Sequence, residues 1–211
     1  LRQYLRTSLG GERIRIVVVN QYSDRPLKIG RAHVAHDKRA RGAAVRFEGQ
    51  EGVLVAAGAT AVSDPIDLPV GAGERLQADL YLPERTRLAG FHWDARERTL
   101  LLPGDRTGQA SESGAQAFSS RAFLSSVLVE SAARPAAVVA LGDSITDGNG
   151  STPGADKRWP DFLANRLAPS GVAVLNAGIS GNRLLRSGMG ESAPPASARN
   201  GRGRPPAARH T

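Results

Sequence analysis

Alternating and continuous apolar runs divide the chain into three stretches. In the first, Arg13-Ile14-Arg15-Ile16-Val17-Val18-Val19 starts with alternation and ends as a β-branched run, which predicts a strand. Leu27 to Val34, Gly52 to Ala56, Ile66 to Leu68 and Arg75 to Leu82 are further short candidates. Turn residues separate them: Ser23-Asp24-Arg25-Pro26, Asp64-Pro65 and Gly71-Ala72-Gly73. Short strands between turn signals predict an all-β, sandwich-like module over residues 1–130. Gly104 to Gly114 is polar and glycine-bearing and reads as a loop. Arg121 to Glu130 fits a last strand or a short helix, because its periodicity does not decide.

The pattern changes at residue 135. Ala136-Ala137-Val138-Val139-Ala140-Leu141 is a continuous apolar run, as expected of a strand buried on both faces of a parallel sheet. Trp159, Phe162, Leu163 and Leu167 recur at helical spacing, and Gly171 closes that helix. Val172-Ala173-Val174-Leu175 follows as a second buried strand. Together these predict a β-α-β unit over residues 135–185, the start of an α/β fold.

After Leu185 the apolar pattern stops: no Val, Ile, Leu, Phe, Tyr or Trp follows. Gly, Ala, Pro and Arg dominate, so residues 186–211 cannot offset the entropy of ordering and are expected to form a disordered basic tail. A shifted reading frame in a GC-rich gene would also produce this mixture from about residue 191 onward.

Composition adjusts this picture only slightly. The net charge is +8 over 211 residues, and half of it comes from five arginines against Glu191 in the tail. The rest is only mildly basic, so nucleic acid is not an expected partner. Cysteine is absent, which rules out disulfides and thiolate metal sites. No run of 18 apolar residues exists for a membrane-spanning helix. The sequence opens at Leu1 with no charged-then-apolar leader, which fits a removed signal peptide or a start within a gene.

The chemistry gathers where the first α/β strand ends. Gly142-Asp143-Ser144 follows the apolar run directly, so Ser144 stands at the mouth of a buried strand, where backbone N–H groups can stabilise negative charge. Gly142 allows a tight turn. The spacing is not Gly-x-Ser-x-Gly, since Thr146 occupies the last position. A purely structural reading also exists, in which Asp143 and Ser144 cap a helix. Gly148 to Pro153 lacks the lysine of a phosphate loop and reads as a connecting loop.

Val138 to Gly148 closely resembles the first conserved block of the SGNH (GDSL) hydrolases. Lys157-Arg158-Trp159-Pro160-Asp161-Phe162-Leu163 resembles that family's first helix, and Asn176-Ala177-Gly178-Ile179-Ser180-Gly181-Asn182 its second block. The resemblance implies a flavodoxin-like three-layer α/β fold and a bacterial serine esterase. It makes Ser144 the nucleophile and the N–H groups of Ser144 and Gly181 part of the oxyanion hole, with Gly142, Asp143 and Asn182 as supporting motif residues. The implied substrate is a small acyl or acetyl ester, including esters on carbohydrate, with no metal or organic cofactor. The implied location is secreted or periplasmic. The N-terminal stretch, from Leu1 to Ile16 and Pro26 to Gly30, more loosely resembles a β module that precedes the hydrolase domain in some secreted members.

The sequence departs from the family after residue 185. A Gly-x-Asn-Asp block and a later Asp-x-x-His, which would supply the general base, are not found. His210 has Ala207 three residues before it instead of Asp. His33, His36 and His92 all precede the serine and are expected at the surface, with no ligand cluster to make His33 and His36 a metal pair. An impaired two-module esterase is therefore weighed against a non-catalytic fragment whose β module binds glycan or only folds, and against a nucleic-acid binder that uses the tail.

Overall fold

A strand of largely polar residues, Arg2–Arg6, holds the centre of the β-rich part. The computed structural model describes residues 1–37, 42–131, 135–183, 185–188 and 192. In chain order the strands are β1 Arg2–Arg6, β2 Arg13–Val19, β3 Leu27–Ile29, β4 Arg31–His36, β5 Gly42–Val45, β6 Val53–Val55, β7 Thr60–Val62, β8 Arg75–Tyr81, β9 Phe91–His92, β10 Thr99–Leu101, β11 Gln116–Phe118, β12 Arg121–Ala122, β13 Leu124–Glu130, β14 Ala137–Gly142 and β15 Ala173–Gly178. The helices are α1 Ser144–Asp147 and α2 Trp159–Leu167. None among the described residues is long and apolar enough to cross a membrane.

Every regular element among the described residues of the first 130 is a strand. A six-stranded antiparallel sheet runs β11-β10-β1-β8-β4-β5, and a three-stranded one runs β13-β2-β7. Leu76, Ala78 and Leu80 of β8 and Ile14, Ile16 and Val18 of β2 enter one buried cluster, so the two sheets share a core. The alternation in β2 has the expected cause: Arg13 and Arg15 face solvent while Ile14 and Ile16 are buried.

The buried polar residues Arg2 and Gln3 both have partners. Arg2 and Asp79 are directly opposite in β1 and β8, and the guanidinium grips the carboxylate at 2.8 and 3.0 Å. The loop after β10 covers this pair: Gln109 O accepts from Arg2, and Gly108 N–H donates to Asp79 Oδ2 at 3.1 Å. Gln3, fully buried, pairs like a peptide with Ala122: its Nε2 donates to Ala122 O and its Oε1 accepts from Ala122 N, both at 2.9 Å.

Several expectations need correction. The run from Leu27 to Val34 is two strands in different sheets, because the chain leaves one for the other at Gly30. A Cβ there would lie 3.0 Å from the Tyr81 ring. Ile66 to Leu68 makes only an isolated bridge, Ile14 to Ile66. Arg121 to Glu130 is strand, interrupted at Phe123, whose φ is +62°. The histidines are not simply at the surface. His36 is buried with Nδ1 2.6 Å from Glu74 Oε1, and His33 is partly buried on the same strand.

β14 and β15 lie parallel in register, Ala137 beside Ala173 through Gly142 beside Gly178, with α2 crossing between them. This is the expected β-α-β unit. Its burial is not as expected: Val139 is 57% exposed, and Val138, Leu141 and Leu175 are also exposed. The sheet has only these two strands among the described residues, so one face and one edge of β14 stay uncovered. Trp159 and Phe162 of α2 are exposed for the same reason, while Pro160 and Ala164 are buried. Most of the predicted tail, residues 189–191 and 193–211 with His210, lies outside the described residues.

The two parts are joined by specific bonds. Val174 N–H donates to Ser8 Oγ at 3.2 Å, and Arg6 Nη2 to Asn165 Oδ1 at 2.5 Å. Arg75 bonds Asp156 and Glu97, each at 2.8 Å.

Candidate active site

Two glycines set the site. Gly142 and Gly178 end β14 and β15 as register partners, and the α1 turn rests on both. A Cβ on Gly142 would lie 2.2 Å from Thr146 Oγ1, and one on Gly178 2.2 Å from Asp147 N. Only glycine lets the turn sit this close to the strand ends.

Ser144 opens that turn. Asp143 caps it, its Oδ1 accepting from Ile145 N at 3.0 Å, and Gly148 and Asn149 N–H groups donate to Ser144 O. The capping role of Asp143 thus exists beside any role for Ser144. Among the described residues no group hydrogen-bonds Ser144 Oγ, and none of His33, His36 or His92 reaches it.

The loop after β15 folds back over the same strand end. Gly142 O accepts from Ile179 N at 3.0 Å and from Asn182 Nδ2 at 3.3 Å. Asn176 Nδ2 donates to Thr146 O at 2.8 Å, tying β15 to the α1 turn. Gly181 lies within this loop at φ +75°, and no described acceptor takes its N–H. Gly142, Asp143, Ser144, Gly181 and Asn182 therefore gather around the end of β14.

Three groups here, Asp147, Ser180 and His92, have no site role in the sequence reading. Asp147 is only 3% exposed, yet carries a carboxylate. Its Oδ2 accepts from Ser180 N at 3.2 Å and Ser180 Oγ at 2.8 Å, and its Oδ1 is 2.6 Å from His92 Nε2. His92 is 55 residues earlier, and its one local cue was its place between the exposed aromatics Phe91 and Trp93.

A groove of about 1250 Å³ runs between the β-rich part and the β-α-β unit. His92, Trp93, Arg121, Asp147 and Ser180 help to line it; Ser144 does not. Burial, with the charge of Arg158 adding to it, pulls the Arg121 guanidinium down to about 10. Arg121 donates to Tyr4 O at 2.8 Å and, among the described residues, has no carboxylate within 4.0 Å.

The arrangement, a serine on a turn at the carboxyl ends of parallel strands with a glycine loop beside it, is one on which acyl-transfer chemistry can be built. Residues 140–206 match the GDSL-like lipase/acylhydrolase family. The match supports the GDSL family for this segment and a general ester-hydrolase function, and so a small-molecule substrate. No curated protein matches the chain significantly.

Proposed function

We propose that the chain is a serine ester hydrolase of the GDSL type, with Ser144 as nucleophile. The observation that carries this reading is the placement of Ser144 at the end of β14 with the 179–182 loop drawn over it through Gly142 O. Ser144 Oγ would attack the ester carbonyl carbon, lose its proton to a base and form a tetrahedral oxyanion. The N–H groups of Ser144 and Gly181 would stabilise that charge, each such donor being worth ~3 kcal/mol. The alcohol would then leave, and water would hydrolyse the acyl-serine.

The favoured substrates are small acyl or acetyl esters, including those on carbohydrate, acted on outside the cytoplasm of a bacterium. No described base touches Ser144 Oγ, so the reading also holds that this chain works slowly. General-base catalysis contributes ~10²–10⁴-fold, and its loss sets turnover at least ~100-fold below that of an efficient esterase.

The second reading is a non-catalytic fragment whose β-rich part binds glycan. It draws on the same missing base. Hydrolysis of p-nitrophenyl acetate by the wild type and Ser144→Ala separates the two. A slow rate abolished in Ser144→Ala supports the esterase; equal rates in both support the fragment.

A further inference from the structure

The β-rich part reaches the α1 turn through β9. β9 carries His92, whose Nε2 meets Asp147 Oδ1 at 2.6 Å. An ionised carboxylate can only accept, so Nε2 is the donor. The other carboxylate oxygen takes both the N–H and the hydroxyl of Ser180. Asp147 is buried, and a buried carboxylate keeps one orientation only while its oxygens have partners. His92 and Ser180 thus hold opposite ends of one carboxylate, and the next N–H after Ser180 is that of Gly181.

His92 is itself held from behind. Its register partner on β12 is Arg121, and the neighbouring pair is Phe91 with Ala122. Ala122 is fixed by both polar ends of the buried Gln3 amide. A continuous set of bonds therefore runs from β1 through Gln3, Ala122 and β9 to Asp147 and Ser180. His92 makes no bond to Ser144, so it acts through Asp147 and not on the nucleophile.

We propose that His92 is a positioning residue for the oxyanion loop, fixing Ser180 and Gly181 through Asp147, and that the β-rich part thereby forms a working piece of the ester-hydrolase site. The proposal rests on the reading of Gly181 as an oxyanion donor. It gives the N-terminal part a task other than binding glycan or acting as a spacer.

The test uses the full chain and four variants: His92→Ala, His92→Asn, His92→Gln and Ser144→Ala. Amide exchange at Ser180, whose N–H donates to Asp147, reads the positioning directly, without turnover. Loss of a charge-assisted hydrogen bond should speed Ser180 exchange by about tenfold in His92→Ala and His92→Asn, with Ile16 and Leu80 unchanged. Gln places an amide N–H near the site of Nε2, so His92→Gln should restore slow exchange. Ester turnover should follow, with kcat lowered and KM unchanged in His92→Ala, and recovery in His92→Gln.

Unchanged Ser180 exchange in His92→Ala overturns the proposal, and so does equal exchange in His92→Gln and His92→Asn. If His92→Ala fails to fold, the Asn and Gln pair decides by the same criterion. Turnover that survives in Ser144→Ala defeats the esterase reading alone, because the exchange measurements still report on His92.

Discussion

Gly142 and Gly178 face each other across the last rung of the β14–β15 pair, and the turn bearing Ser144 rests on both. The contact at Gly178 is with backbone, Asp147 N at 2.2 Å and Asp147 Cα at 2.6 Å from a built Cβ. Backbone cannot rotate away as a side chain can. Gly178→Ala should therefore push the α1 turn off the strand ends and destabilise the chain by ~1–3 kcal/mol. Urea denaturation measures the cost, and an unchanged midpoint would contradict the close packing.

Two arginines, one paired with a carboxylate and one not, should respond differently. Arg2 is buried against Asp79, and removing the acid in Asp79→Ala strands the cation, at a cost of ~3–5 kcal/mol. Arg121 has no carboxylate within 4.0 Å among the described residues, and its pKa is depressed to about 10. A base whose folded pKa is depressed holds its proton less well when folded, so its charge disfavours folding at neutral pH, and that cost starts to fall only as pH rises past the folded value. Arg121→Met loses the bond to Tyr4 O but also removes the charge, and should change stability by less than ~1 kcal/mol at neutral pH. Equal losses in the two variants would refute the contrast.

His33 gives a pH signature. Burial pulls its imidazole below the ordinary value against the attraction of Asp79, with Arg2 adding to the depression. Its Nδ1 is buried and has no hydrogen-bond partner among the described residues. Above the unfolded pKa of ~6.5 both states are neutral at this group and the effect is absent. As pH falls below that, the unfolded chain takes up the proton first, so stability is lost down through the folded pKa. Relative to His33→Gln, the wild type should lose stability on acidification in that window. Thermal midpoints across the range read the difference; parallel curves would exclude His33 as its source.

The legible parts of the fold were those whose burial follows one period. β2 alternates, α2 repeats at helical spacing, and β14 and β15 are apolar runs at the right separation. β1 was missed because Arg2 and Gln3 are polar residues buried with partners 77 and 119 positions away, which no local pattern contains. β3 and β4 were read as one strand because a sheet switch at Gly30 leaves the apolar pattern continuous. The face of β14 was expected to be covered because a β-branched run carries no record of how many strands lie beside it. At the site, Ser144 is legible from its place at the end of an apolar run and Gly181 only through the family resemblance, whereas the partnership of His92 with Asp147 is created only by the fold.

The bonds joining the two parts also favour an order of assembly. Arg6 meets Asn165 and Ser8 meets Val174, across 159 and 166 residues. Such closures come late, because the chain bears the entropy of a long loop before the contact rewards it. As the chain is synthesised, β1 to β13 emerge before α2 and β15 exist, so the early strands can pair first and present Ser8, Arg6 and His92 as a finished surface. The segment bearing Ser144 then folds against a template, so damage to the early strands reaches the serine through its folding as well as through His92.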